Sequence, residues 1–279
     1  MPITQNQGVN IYWQEQGQGV PILLIMGLGW ASDLWHRTRP ILSSHYRTIV
    51  LDNRGVGRSD VPPGPYPIAV MASDAAAVLD AAGIESAHVF GVSMGGMIAQ
   101  EFALQYPQRV KTLILGCTAA GGPQAVSAGP EVVEALLHRS SNPDEFAETT
   151  NRFIYDSSTP RDRIEADMLL RKKWYPTELG YTSQLQGIAA WEAYSRLDQI
   201  TAPTLVIHGE TDRLVPPANG RLIAQRIPGA KLAMIPHASH VFFTDQPDAS
   251  QREILGFLSA HSKRSRRTST NSDARPSSQ

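Results

Sequence analysis

His88-Val89-Phe90-Gly91-Val92-Ser93-Met94-Gly95-Gly96-Met97-Ile98-Ala99 is the stretch whose reading decides the fold of this chain. It reads as a short apolar strand, a tight turn carrying one serine, and the first turn of an amphipathic helix. In a Gly-x-Ser-x-Gly pattern the serine sits on a strained strand-to-helix turn, and small flanking residues let the two backbones approach closely. Ser93 is therefore the candidate nucleophile. Five residues carry little weight in a chain with 22 glycines, so the flanks must supply the context.

Working outward, an apolar strand over 87–91 feeds the turn and a helix from Met94 ends before Pro107. Upstream, helical periodicity over 68–82 stops at Gly83, and 46–51 is a buried-type strand; downstream, 110–115 is another. This β-α-β-α-β alternation predicts an α/β fold with a doubly wound, mostly parallel sheet. The run at 21–26, apolar without alternation, is a further strand covered on both faces. A hairpin around Gln7-Gly8 opens the sheet over 3–15, and Ser32 is placed to cap a helix over 34–42, interrupted or kinked near Pro40.

After Cys117 the character changes. Four helix-like segments, at 130–139, 143–155, 161–175 and 179–197, follow one another without a strand, which predicts a helical cap inserted into the sheet. Alternation resumes with a strand at 203–208, a helix at 218–226, a strand at 231–235 and a helix at 249–259. The expected organisation is a core over 1–120, a cap over 121–200, the second part of the core over 201–261 and a disordered tail over 262–279. That tail is rich in Ser and Thr and carries Lys263, Arg264, Arg266 and Arg267.

At 42% apolar residues and a formal charge of −1 the composition is that of an ordinary globular protein. It gives no reason to expect nucleic acid or an anionic membrane as partner. No apolar run approaches the roughly 18 residues of a membrane span, and the first residues lack a basic segment followed by an apolar one. A cytoplasmic protein is expected. Cys117, alone of its kind and following an apolar run, reads as a small buried hydrophobe.

An alcohol is a poor nucleophile until a base takes its proton, and that base needs an orienting acid. In open α/β sheets such groups gather at the carboxyl ends of strands. Asp212 follows the strand that ends at His208, and His240 follows the strand that ends near Pro236. Glu210 and His237 are the rivals for these two places. A His237/His240 metal pair finds no third ligand, so no metal is expected. His88 and His208, at strand ends within apolar runs, read as hydrogen-bonded structural histidines.

These pieces together resemble the serine hydrolases of the α/β-hydrolase fold. The resemblance rests on Gly91-Val92-Ser93-Met94-Gly95, Leu51-Asp52-Asn53-Arg54-Gly55-Val56-Gly57-Arg58-Ser59, Val206-Ile207-His208-Gly209-Glu210-Thr211-Asp212 with Val215-Pro216, and Ile235-Pro236-His237-Ala238-Ser239-His240. It covers 20–258 and is nearest to the small esterases, 3-oxoadipate enol-lactonases and cofactor-free haloperoxidases. It implies a triad of Ser93, Asp212 and His240, with His240 as general base and Asp212 fixing its tautomer. It also implies an oxyanion hole made by the backbone amides of Leu28 and Met94, although Met26 stands where many relatives carry histidine.

Asp52, Arg54 and Arg58 are expected to hold their own loop. Trp30, Val215 and, from the cap, Tyr155 and Trp191 are the expected substrate contacts; Arg171, Lys172 and Lys173 read as a solvated helix face, the alternative being attraction of a carboxylated substrate such as an enol-lactone. The expected function is hydrolysis of a small carboxylic ester or lactone through an acyl-enzyme, without cofactor or metal, by a monomer or homodimer. Carbon–carbon bond hydrolysis and perhydrolysis use the same triad, and a ligand-binding receptor on the same scaffold is the non-enzymatic alternative.

Overall fold

In the computed structural model, which describes residues 2–270 and side chains as far as 261, the chain opens on a hairpin of β1 (Ile3–Asn6) and β2 (Val9–Gln16). Gln7 and Gly8 both have positive φ, the conformation that matches a two-residue turn to the twist of its strands. Six strands follow: β3 (Pro21–Ile25), β4 (Arg47–Leu51), β5 (Ala87–Val92), β6 (Val110–Gly116), β7 (Thr204–Gly209) and β8 (Lys231–Ile235). The sheet order is β1-β2-β4-β3-β5-β6-β7-β8. The hairpin joins antiparallel and all later neighbours pair in parallel.

The apolar runs are buried on both faces because alternate residues enter different cores. Leu23, Ile25, Ile49, Leu51, Val89 and Leu113 pack with α2 (Ile68–Ala81) and α3 (Met94–Gln105). Their neighbours Ile22, Leu24, Val50, Phe90 and Ile114 pack on the opposite face, against Trp35, Phe242 and Phe257. Burying such a side chain contributes roughly 1.5–3 kcal/mol, and the two layers together fix which strand ends point where.

Between β6 and β7 lie four helices, here α4 (Pro130–Leu137), α5 (Pro143–Ile154), α6 (Arg161–Lys173) and α7 (Glu178–Ala189). Helix α7 lies backbone to backbone on the core. A Cβ on Gly187 would stand 1.9 Å from the Tyr66 carbonyl oxygen, and the Tyr66 amide donates to the Ser183 carbonyl at 3.0 Å. After β7 come α8 (Ala218–Arg226), α9 (Phe242–Asp245) and α10 (Pro247–Thr270). The expected tail, 262–279, falls on side chains and, beyond 270, on chain that lie outside the described residues.

Two local expectations are corrected. Ser32 caps no helix: its amide and hydroxyl both donate to Asp52 Oδ1, at 2.7 and 2.6 Å. The segment is interrupted before Pro40 as expected, into a 3-10 turn at Ser32–His36 and a short helix α1 (Arg39–Ser43). The segment expected at 179–197 also breaks, because Glu192 bridges back to Gly121 and closes the insertion on itself.

Candidate active site

Ser93 stands between β5 and α3 with φ 56° and ψ −124°, a backbone conformation that a non-glycine residue holds only when its surroundings enforce it. They do. The Ser93 amide donates to the Gly116 carbonyl at 2.9 Å and its own carbonyl accepts from Thr118 Oγ1 at 2.7 Å. The glycines of the pattern make the approach possible: a Cβ on Gly95 would lie 2.2 Å from the Ile25 oxygen, and one on Gly91 2.0 Å from the Gly95 oxygen.

His240 is carried by the loop after β8, and its Nδ1 is 2.9 Å from Asp212 Oδ2. A carboxylate accepts, so Nδ1 bears the proton in that bond and neutral His240 presents Nε2 as a base. Asp212 Oδ1 accepts from the Leu214 and Val215 amides, both at 2.9 Å. Burial on its own would push the Asp212 carboxyl up, but the His240 charge and the hydrogen bonds from His208 and His240 outweigh it and hold the group below the usual carboxylate range.

His208 stands behind this pair. Its Nε2 lies 2.8 Å from the Val215 carbonyl and 3.2 Å from Asp212 Oδ2. A carbonyl only accepts, so the Nε2 proton is fixed there and the buried Nδ1 has no partner. The expected structural histidine thus also touches the acid. His88, the other one, bonds Thr112 Oγ1 at 2.8 Å.

The rivals fall outside. His237 is exposed, with φ 54°, and Glu210, in the same loop as Asp212, is exposed too, whereas His240 and Asp212 are 4% and 3% accessible. The His240 loop is held from two sides. The Ser239 amide donates to Asp245 Oδ2 at 2.7 Å, and the Val241 amide donates to the Ile154 carbonyl of α5 at 3.0 Å. Burial pushes the Asp245 carboxyl up to about 6, against the hydrogen bonds it accepts from Thr159, Ser239 and Asp156.

Ser93 and His240 line one cavity of about 230 Å³, together with Leu28 and Met94. Among the described residues neither the Leu28 nor the Met94 amide has an acceptor. The Met94 amide also opens α3, at the positive end of the helix dipole. The neighbouring Gly29 amide is spoken for, donating to Gln184 Oε1 of α7 at 2.8 Å. Gln184 Nε2 in turn donates to the Arg54 carbonyl at 2.8 Å. Met26 contributes its carbonyl to Asn53 Nδ2 at 2.9 Å, and its side chain joins the cavity wall.

Of the four expected substrate contacts, Trp30 and Val215 line the cavity and Tyr155 and Trp191 do not. Each of the latter has a better use for its polar atom. Trp191 Nε1 donates to Glu101 Oε2 at 2.8 Å with the ring in the core, and Tyr155 donates to Asp167 Oδ2 at 3.3 Å. The aromatic wall is made instead by Phe146, Tyr175 and Tyr181. Phe146 is absent from the expected contacts, although Phe146, Ala147, Thr150 and Ile154 share one face of α5 at helical spacing. Arg171 also lines the cavity, contrary to the solvated face expected of it. Asp52 and Arg58 hold their loop as expected, Arg58 Nε donating to Asp52 Oδ2 at 2.7 Å, while Arg54 pairs with Asp74.

Cys117 is buried beneath the serine and lines the cavity. Burial, reinforced by the Asp212 charge, pushes its thiol well up, against the hydrogen bond from the Ser93 backbone. No helix among the described residues is long and apolar enough to cross a membrane.

Residues 20–247 match the family model for the alpha/beta hydrolase fold, and the chain belongs to that family. It is 32% identical over 265 residues to a putative carbamate hydrolase, RutD, of Azorhizobium caulinodans, an alignment spanning 92% of this chain and 98% of that one. It is 30% identical over 260 residues to the 2-hydroxy-6-oxononadienedioate/2-hydroxy-6-oxononatrienedioate hydrolase of Comamonas testosteroni, across 89% and 91% of the two chains. The crystal structure of the enol-lactonase from Burkholderia xenovorans LB400 superposes with a TM-score of 0.82 at 27% identity, covering 92% of this chain and all (100%) of that one. Family and relatives alike mark the chain as a hydrolase.

Proposed function

We propose that this hydrolase cleaves carboxylic esters or lactones through an acyl-enzyme, with Ser93 as nucleophile, His240 as general base and Asp212 as the acid that orients it. The observation that carries this reading is one cavity lined by a serine in a strained turn and by an imidazole whose far nitrogen is bonded to a buried carboxylate. His240 Nε2 takes the Ser93 proton as Oγ attacks the carbonyl, and returns it to the leaving alcohol as the tetrahedral intermediate collapses. Water then repeats the attack on the acyl-enzyme.

Negative charge on the former carbonyl oxygen is met by the free amides of Leu28 and Met94. Donors of this kind contribute about 3–4 kcal/mol each to the barrier, because they need no reorganisation as charge develops. The chemistry needs no cofactor or metal, and the partner is a small molecule rather than nucleic acid or membrane. The site is complete within one chain, which is consistent with a monomer or a homodimer.

Turnover of 4-nitrophenyl acetate and butyrate by the wild type and by Ser93→Ala tests the proposal. Equal rates for the two proteins would sink it. The relatives named for a carbamate and for a 2-hydroxy-6-oxononadienedioate favour a second reading, in which the same three residues cleave a carbamate or a carbon–carbon bond. A panel of esters, lactones, carbamates and vinylogous 1,5-diketones, compared by kcat/KM, separates the two.

A further inference from the structure

We infer that Asp245 is a positioning residue for His240, and that through it the placing of the base depends on the cap. This role goes beyond the proposed ester chemistry and rests on His240 as its base. The loop after β8 has two kinds of support. Its first half belongs to the core, where the Ala238 carbonyl accepts the Thr211 amide at 2.9 Å. The two residues that flank His240 reach the cap instead. Ser239 Oγ donates to the Phe153 carbonyl at 3.1 Å, with the Thr211 carbonyl farther off at 3.4 Å, and the Val241 amide donates to the Ile154 carbonyl at 3.0 Å. Phe153 and Ile154 are the last two residues of α5.

Asp245 closes the same arrangement from below. It ends α9, the short helix that starts directly after Val241, and its side chain turns back onto the loop. Oδ2 accepts the Ser239 amide at 2.7 Å and the Asp156 amide at 3.3 Å, and Oδ1 accepts from Thr159 Oγ1 at 2.6 Å. Asp156 and Thr159 stand in the turn between α5 and α6. One buried carboxylate, 2% accessible, thus joins the residue before His240 to two points of the cap. Helix α6 adds to the grip: Arg163 Nη1 donates to the Thr244 and Asp245 carbonyls at 3.3 and 3.1 Å, and Thr244 Oγ1 donates to Asp167 Oδ2 at 2.7 Å.

The nucleophile is held differently. Ser93 takes its bonds from Gly116 and Thr118, at the end of β6 and just beyond it, and so belongs to the sheet. The acid lies between the two regimes, since Asp212 is fixed by the Leu214 and Val215 amides while its neighbour Thr211 donates from Oγ1 to Asp156 Oδ2 at 2.6 Å. The consequence is mechanical. Proton transfer needs imidazole and hydroxyl within hydrogen-bond reach, and a misplacement of about 1 Å costs on the order of 10²-fold in rate. A cap lifted from the sheet would take the partners of Ser239, Val241 and Asp245 with it and leave Ser93 where it is. The serine and its base come together only when the cap is seated.

The test compares turnover of 4-nitrophenyl butyrate by the wild type, Asp245→Ala, Asp245→Asn, Thr159→Val and Val78→Ala, and follows the His240 Nδ1 proton by its low-field NMR resonance. Val78 is buried on α2 outside the cavity lining, so its truncation supplies a destabilised protein with an intact base. Asp245→Ala is expected to lower kcat about 10²-fold with little change in KM, and to shift or abolish the resonance. Asp245→Asn offers an acceptor to the two amides and a donor to the Thr159 hydroxyl, and should restore kcat to within about tenfold of the wild type, neutral bonds being about half as strong as charged ones. Thr159→Val should lower kcat about tenfold, and should have no further effect when combined with Asp245→Ala. Val78→Ala should keep both kcat and the resonance. An unchanged kcat or an unchanged resonance in Asp245→Ala would overturn the inference, and so would equal losses of kcat in Asp245→Ala and Val78→Ala. Should Asp245→Ala not fold, Thr159→Val decides, and a wild-type kcat there excludes the link through the cap. If the wild type cleaves the ester no faster than Ser93→Ala does, the ester reading fails instead, and the resonance alone decides the role of Asp245.

Discussion

Gln184, on the last helix of the cap, accepts the Gly29 amide at 2.8 Å and so ties the cap to the residue that follows Leu28. Gln184 is fully buried and its amide also reaches the Arg54 carbonyl, so one side chain fixes two core loops. Replacing it by Leu leaves a buried donor and a buried acceptor unpaired, each costing about 1–3 kcal/mol. Released, the Leu28 loop relaxes, and its amide loses the aim that the proposed oxyanion role requires. Gln184→Leu is expected to lower kcat about 10-fold or more with a smaller change in KM, and to shift the urea midpoint down. An unchanged kcat in a destabilised protein would show that the link serves stability alone.

Asp212 faces donors on both oxygens, and this makes Asp212→Asn a test of tautomer rather than of charge alone. With its amide nitrogen toward Leu214 and Val215, the introduced asparagine would set donors against two backbone amides that cannot change. It is therefore expected to turn that nitrogen toward the imidazoles. His240 must then accept at Nδ1 and carry its proton on Nε2, where the base should be empty. The expected loss in kcat is about 10³–10⁴-fold, the scale seen when a triad acid is amidated in other serine hydrolases. Circular dichroism should report an unchanged fold.

How far the sequence carries the reader is visible in these same residues. Strands β3 to β7 are legible because burial on both faces demands apolar runs, and the places of Ser93 and Asp212 because each follows such a run; His240 follows the half-exposed edge strand β8. The cavity lining is half legible. Trp30 and Val215 neighbour residues already placed, whereas Tyr155 and Trp191 are suggested only by their size. What sets them apart is a hydrogen-bond partner distant in sequence, Glu101 for the indole and Asp167 for the phenol. Gln184 escapes a reading of the sequence for a related reason: its contact to Gly29 reaches across more than half of the chain and leaves no local pattern.

His88 predicts an acid limb in the stability of the fold. Burial, helped by Lys111 and His261, depresses its imidazole to about 4, below the roughly 6.5 of an unfolded chain. Below pH 6.5 the unfolded state takes up a proton that the folded state refuses. Stability is thus full above that pH, falls as pH drops, and stops falling on this account near 4. Between pH 6.5 and 5 the loss is on the order of 2 kcal/mol. His88→Gln, which keeps a partner for Thr112, should flatten that limb in urea titrations at pH 7 and pH 5. A wild-type slope retained in the variant would assign the limb to other groups.

Cys117 and Ser93 line the same cavity, so reagents that discriminate thiol from alcohol distinguish their roles. The thiolate is the reactive form of cysteine, and burial with the Asp212 carboxylate nearby disfavours it. Iodoacetamide at pH 8 should therefore leave both the mass of the protein and its esterase activity unchanged over an hour. Ser93 is in the opposite situation, with a base available to take its proton, and phenylmethanesulfonyl fluoride should add one sulfonyl group and abolish activity. The decisive pair is Ser93→Ala and Cys117→Ala. Labelling by the sulfonyl fluoride should vanish in the first and persist in the second, because Cys117→Ala removes only a small apolar filler and is expected to cost about 1 kcal/mol. Labelling that vanished in Cys117→Ala and persisted in Ser93→Ala would transfer the nucleophile to the thiol and overturn the assignment of Ser93.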